Sequence, residues 1–150
     1  MHLTVQADYA LRTLMFVGLK GERLSTIAEI AAAYDISANH LMKVVHQLGV
    51  AGYVETIRGK KGGLRLARPA AAINLGELVR RIEPDLALVP CFAADAACAI
   101  QPACALQRVL GEALAAFLGV LDDYVLADLL ARPRRLAALL AIDPPAPIQR

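Results

Sequence analysis

Apolar residues at Leu3, Ala7, Ala10, Leu11, Leu14, Met15 and Gly18 keep the spacing of one helical face and predict a first helix over 3–19. Lys20-Gly21-Glu22-Arg23 ends it. Ser25 or Thr26 opens a second helix to about Tyr34, with Thr26 and Glu29 at capping-box spacing. After the turn Asp35-Ile36, Ser37 stands as N-cap of a third helix to about Ala51, and Gly52 suits the left-handed position that follows. Two short helices across a tight turn make a helix-turn-helix candidate. On the third helix Leu41, Val44, Val45 and Leu48 share one arc, and Asn39, His40, Lys43, His46 and Gln47 share the opposite one. That pattern suits a plain solvated face or a reading face.

Residues 53–58 are rich in β-branched and aromatic side chains, Gly59-Lys60-Lys61-Gly62-Gly63 is a flexible turn, and Leu64-Arg65-Leu66 returns as a second short strand. Arg58, Lys60, Lys61, Arg65 and Arg68 give this hairpin a basic tip with no acid among them. The order is that of a winged helix, whose wing follows phosphates or enters a minor groove; a charged surface hairpin is the plainer alternative. Asn74 caps a fourth helix that stops before Pro84. Pro84, Pro90 and Pro102 make residues 84–104 a loop. From 105 to about 130 one long helix is predicted, roughly 35–40 Å in length, with Leu106, Leu110, Leu114, Phe117, Leu121 and Tyr124 along one side. That stripe exceeds the needs of one small core. Pairing with a second copy in a homodimer would bury it, as would packing on the first helix of either subunit. A short last helix follows Pro133, and residues 142–150 are expected to be a mobile tail.

Composition sharpens this picture. The 150 residues are 57% hydrophobic but only 5% aromatic, with no Trp, so Ala, Leu and Val dominate and helices are favoured. The net charge of +2 hides an asymmetry: residues 1–68 hold nine basic against five acidic residues, and residues 69–150 seven against nine. The first half is therefore suited to a polyanion. With no long uncharged apolar run and no leader-like N-terminus, the expectation is a soluble, cytoplasmic protein without a membrane partner. No glycine-rich phosphate loop, serine nucleophile motif or acid–base carboxylate pair points to an enzyme.

Three cysteines are an odd number and would stay reduced in a cytosol, which argues against a disulfide framework. The spacing Cys91-x6-Cys98-x5-Cys104 does not match the paired C-x2-4-C units of structural zinc. It suits an iron–sulfur cluster held by thiolates, although cysteine also serves as a small core filler.

Residues 1–130 resemble the winged-helix iron–sulfur transcription repressors of the IscR/NsrR type, through "ADYALR", "AAAYDIS", "RGKKGGLRLARP" and the cysteine loop. The resemblance is nearest the nitric-oxide-sensing branch, through "CF" at Cys91, "QPACALQ" at Cys104 and "LDDYVLADL". It implies a mostly α fold: a winged-helix head over 1–83 whose first helix also touches the partner, a cluster loop over 84–104, and a dimerisation helix with a short last helix over 105–141. It implies a homodimer on palindromic operator DNA, contacted by Ser37, Asn39, His40 and Lys43 and by the wing residues Arg58, Gly59, Lys60, Lys61, Gly62 and Gly63. The cluster ligands would be Cys91, Cys98 and Cys104, with Asp8 of the partner subunit completing a 4Fe-4S centre; a 2Fe-2S centre is the alternative.

One branch has histidine three residues after the third cysteine, where this chain has Gln107, a poor ligand. Asp8 and Arg12, at i,i+4, could equally form a surface ion pair, and Asp95, His40 and His46 are lesser candidates as ligand. Val125 departs from a hydroxyl residue usual in the family, which touches only a local helix cap. Nitric oxide is the signal the resemblance implies. Same-fold sensing of cluster supply or redox state, or a non-regulatory iron–sulfur protein, are the rival readings.

Overall fold

The computed structural model describes residues 2–92 and 98–143. The chain runs α1 (Val5–Lys20), α2 (Ile27–Tyr34), α3 (Ala38–Val50), β1 (Val54–Ile57), β2 (Gly63–Leu66), α4 (Leu75–Ile82), α5 (Ala105–Asp122), α6 (Leu126–Leu129) and α7 (Pro133–Leu139). Helix starts follow local chemistry. Thr4 caps α1 by accepting from the Ala7 N–H, and Thr26 and Glu29 form both halves of a capping box on α2. Ser37 precedes α3 without a side-chain cap bond, and Asn74 caps α4 by accepting from the Glu77 N–H.

β1 and β2 pair antiparallel, with Val54 opposite Leu66 and Ile57 opposite Gly63. Ser25 adds a third rung, exchanging backbone hydrogen bonds with Leu64 at 2.9 and 2.7 Å. The wing is thereby fixed to the segment between α1 and α2.

α1 is the central post and packs against α3, β2, α4, α6 and α7. One apolar cluster includes Ala10, Leu14, Leu48, Ile73, Leu78 and Leu126, and a second includes Val17, Ile30, Leu41 and Leu64. Truncating a fully buried leucine such as Leu14 to alanine costs about 2–5 kcal/mol.

The long helix expected to reach residue 130 stops at Asp122, and Tyr124 lies beyond it. Residues 73–75 cause the break. The Asn74 Nδ2 amide donates to the carbonyls of Asp122 and Tyr124 at 2.6 and 3.3 Å, Leu75 N–H donates to Tyr124 O, and Leu126 N–H donates to Ile73 O. Long-range pairing thus replaces the helical bonds that residues 123–126 would have made. The Val125 side chain offers no acceptor to α6; its carbonyl accepts from the Asp128 N–H at 3.0 Å, and the Asp128 carboxylate reaches back to the Val125 N–H at 2.8 Å. α5 is therefore 18 residues, about 27 Å long, and packs on α4.

The expected tail begins later than residue 142. Ile142 is buried in the second cluster, and the Asp143 carbonyl accepts from Arg23 Nη2 at 2.6 Å. The rest of that tail, 144–150, lies outside the described residues. Among the described residues no helix is long and apolar enough to cross a membrane.

Candidate nucleic-acid interface and metal centre

α3 buries Leu41, Val44, Val45 and Leu48, as its angular pattern predicts, and of the opposite arc it exposes Asn39, His40, Lys43 and His46 while Gln47 is half-buried; Met42, in neither arc, is exposed too. Ser37 is exposed at its start. One flank of this helix is covered by α1: the Tyr9 and His40 rings lie 6.4 Å apart, and Gln6 donates to Gln47 at 2.7 Å. Among the described residues Lys43 forms no ion pair.

The five basic residues of the wing divide into two groups. Arg65 pairs across the strands with Glu55. Arg68 lies over the Tyr53 ring at 4.7 Å and donates to the carbonyls of Gly52 and Ala51. Arg58, Lys60 and Lys61 are exposed at the tip and in no ion pair among the described residues. The glycines also have separate reasons. A Cβ on Gly62 would overlap the Ile57 carbonyl, and one on Gly63 would stand 2.7 Å from Ser25 O, so both are needed to close the hairpin on its own chain. Gly59, with φ +115°, has open space around it.

All three cysteines are unpaired in disulfide terms: Cys91 and Cys104 are half-buried and Cys98 is exposed. Cys91 sits in a single 3-10 turn, Pro90–Phe92, and its carbonyl accepts from Gln107 Nε2 at 2.9 Å. Gln107 thus ties the first cysteine's backbone to the first turn of α5. Gln101 N–H donates to Cys98 O at 3.1 Å, and Cys104 N–H donates to Gln101 O at 3.3 Å, linking the other two cysteines through two successive turns. Cys104 directly precedes α5 and no side chain caps that helix, so its first N–H groups remain available to an anion.

Three thiols of this kind are the donor chemistry that an iron–sulfur centre needs. Among the described residues no three potential ligands are gathered around a metal position. Asp95 lies outside the described residues.

Asp8, in the first turn of α1, is about half exposed and accepts from Arg12 Nε at 3.0 Å. Arg12 also lies 5.7 Å over the Tyr34 ring. Burial pushes the Tyr34 phenol up, with Arg12 pulling the other way and Asp8 adding to the rise. The surface ion pair considered for Asp8 is therefore present in the single chain.

Of the expected dimer stripe, Leu106 and Tyr124 are exposed, while Leu110, Leu114, Phe117 and Leu121 are half-buried. Leu110, Leu114 and Phe117 line a groove of about 610 Å³ together with Leu3 and residues 85–89. The open face of α5 instead carries Leu106, Val109, Ala113, Ala116 and Val120.

A helix-turn-helix with an exposed polar face, followed by a basic-tipped wing, defines a winged-helix DNA-binding protein. Residues 3–132 match the Rrf2 family, described as iron-dependent transcriptional regulators. The chain belongs to that family. It is 51% identical over 142 residues to the HTH-type transcriptional regulator NsrR of Geobacillus kaustophilus, covering 93% of this chain and 97% of the relative. It is 50% identical to the NsrR of Bacillus subtilis, over 93% and 97% of the two chains. Among solved structures it is similar to CymR, the global cysteine regulator of B. subtilis, with TM-score 0.69, 26% identity and coverage of 86% and 95%. T. potens IscR shares the fold, with TM-score 0.68, 24% identity and coverage of 87% and 86%. The protein is a transcriptional regulator of this type and not an enzyme.

Proposed function

We propose that this chain is a cytoplasmic, homodimeric repressor that holds an iron–sulfur cluster, in our reading 4Fe-4S, on Cys91, Cys98 and Cys104, and releases palindromic operator DNA in response to nitric oxide. The carrying observation is the trio of unpaired cysteines in one loop between the winged head and α5, in a chain half identical to regulators named NsrR. When bound, the cluster would supply irons with which nitric oxide reacts.

The chain's own residues then have these parts. The partner's Asp8 would be the fourth ligand and would give up its exposed Arg12 contact to serve as one; Gln107 is engaged by the Cys91 carbonyl and stays a tether. Leu106, Val109, Ala113, Ala116 and Val120 alternate three- and four-residue steps, a spacing that supports helix pairing between copies. Leu110, Leu114, Phe117, Leu121 and Tyr124 flank that seam. Ser37, Asn39, His40 and Lys43 meet the major groove, and Arg58, Gly59, Lys60, Lys61, Gly62 and Gly63 meet phosphates and the minor groove. Because α1 carries Asp8 and packs on α3, withdrawal of the carboxylate from the partner's loop shifts the reading helix.

Anaerobic purification with iron and sulfide counts tests the cluster, and replacement of any one cysteine by alanine should abolish stable binding while leaving a folded dimer. Nitric oxide should then bleach the visible absorbance and lower operator affinity together. Bleaching with unchanged affinity would favour sensing of cluster supply or redox state.

A further inference from the structure

α1 lies along one flank of α3. His40 and Gln47 face α1, through Tyr9 and Gln6. His40 also lines a cleft of about 340 Å³ between the two helices with Val5, Gln6 and Tyr9. Among the described residues no ring pair covers the opposite flank. There Met42 leaves 50% of its surface exposed, three residues after Asn39 and four before His46. It belongs to neither apolar cluster, which take Leu41, Val44, Val45 and Leu48 from this helix. It sets a half-exposed thioether beside Asn39, Lys43 and His46 on the exposed side of the helix.

The floor of the major groove offers one apolar feature, the C5 methyl of thymine; all its other edge groups are hydrogen-bond donors and acceptors. Methionine is unbranched, with three rotatable bonds and a polarizable sulfur, and can adapt its tip to such a methyl. We infer that Met42 is a specificity-determining residue that reads a thymine methyl, with Asn39 and His46 bounding it along the helix. This rests on the DNA-binding reading of α3 and adds a base identity to it.

The test uses the full-length, anaerobically purified dimer and a duplex that it enriches from a random pool. Each thymine in that duplex is replaced in turn by uracil, which deletes only the methyl. One position should weaken wild-type binding by about fourfold, the factor that corresponds to burying one methyl group. Met42→Ala should lose a similar factor on the thymine duplex and show no further loss on the uracil duplex. Met42 is exposed, so the substitution leaves the fold intact, which circular dichroism checks. Met42→Leu should retain part of the methyl preference. Equal loss by Met42→Ala on both duplexes, or no loss on either, would overturn the assignment while leaving DNA binding in place. Failure of the wild type to enrich any sequence would overturn the DNA-binding reading and Met42 with it.

Discussion

Glu83 Oε1 accepts two hydrogen bonds from Thr4, from its N–H at 2.7 Å and its hydroxyl at 3.2 Å, across 79 positions of sequence. The carboxylate joins the start of α1 to the last turn before the cysteine loop, and only 9% of Glu83 is exposed. The Thr4 hydroxyl also accepts from the Ala7 N–H, so one residue caps α1 and locks it to α4. Glu83→Ala removes the acceptor and should destabilise the apo protein by about 1–3 kcal/mol in urea denaturation. Glu83→Gln keeps an oxygen in place and should recover part of that loss. Wild-type midpoints in both variants would remove the lock from the account of how α1 is held.

Lys60 and Lys61 stand at an open wing tip, whereas Arg65 and Arg68 are engaged within the chain. Replacing both lysines by alanine should weaken binding to all DNA sequences and flatten the log–log salt dependence by about one unit per lost phosphate contact. Asn39→Ala should instead cost about 1–3 kcal/mol on the preferred duplex and little on random DNA. Titrations of both duplexes at several salt concentrations separate the two, and equal losses for Asn39→Ala on each would exclude it from base edges.

α2 and α4 were legible because their starts are set by residues within one turn, Thr26 with Glu29 and Asn74 with Glu77, whereas the cap expected of Ser37 on α3 is not formed and that helix was legible from its apolar arc. The end of α5 was not. Leu121 and Tyr124 keep helical spacing through the break, and the groups that cause it, Asn74 and Leu75, lie about fifty residues earlier. The cysteine spacing was readable as a ligand set, but the Gln107 tether to the Cys91 carbonyl has no sequence signature. Glu83 looked like the plain end of a helix before Pro84, and Met42 fell between the arcs named for core and groove.

The Asp8–Arg12 pair in the single chain leaves subunit exchange as the informative test of the fourth ligand. Asp8→Ala should leave a cluster on three cysteines that is less stable than wild type, because a harder, more labile ligand is gone but the thiolates remain. In a mixed dimer, one subunit carries Asp8→Ala and the other has Cys91, Cys98 and Cys104 changed to Ala. Its one intact loop then faces the partner subunit's unaltered Asp8, so cluster spectrum and lifetime should match the wild type and exceed those of the Asp8→Ala homodimer. A lifetime as short as that of the Asp8→Ala homodimer would mean ligation within one subunit, and a wild-type lifetime in the Asp8→Ala homodimer itself would mean a ligand other than Asp8.

Gly76 tests the joint between the winged head and α5. Arg80 grips Asp122 through two bonds, Nη1 to Oδ1 at 2.5 Å and Nη2 to Oδ2 at 2.7 Å, directly over the glycine. A Cβ on Gly76 would overlap Asp122 Oδ1 and lie 2.9 Å from Arg80 Nη1. Elsewhere in a helix, Gly→Ala stabilises by roughly 0.5–1 kcal/mol through backbone entropy. Here the methyl must displace the ion pair, so Gly76→Ala should give no such gain in the wild type. In an Asp122→Ala background the obstruction is gone, and the same substitution should become stabilising, a change of sign between contacting sites. The Arg80 hydrogen bond holds the Asp122 carboxyl below the usual carboxylate range. A depressed carboxylate contributes above its unfolded value of about 4 and fades only as pH falls through the lowered one, so the result should be the same at pH 7 and in mild acid. Urea denaturation of the four proteins measures it; an equal gain from Gly76→Ala in both backgrounds would mean that Asp122 yields freely and that this joint does not fix the angle between α4 and α5.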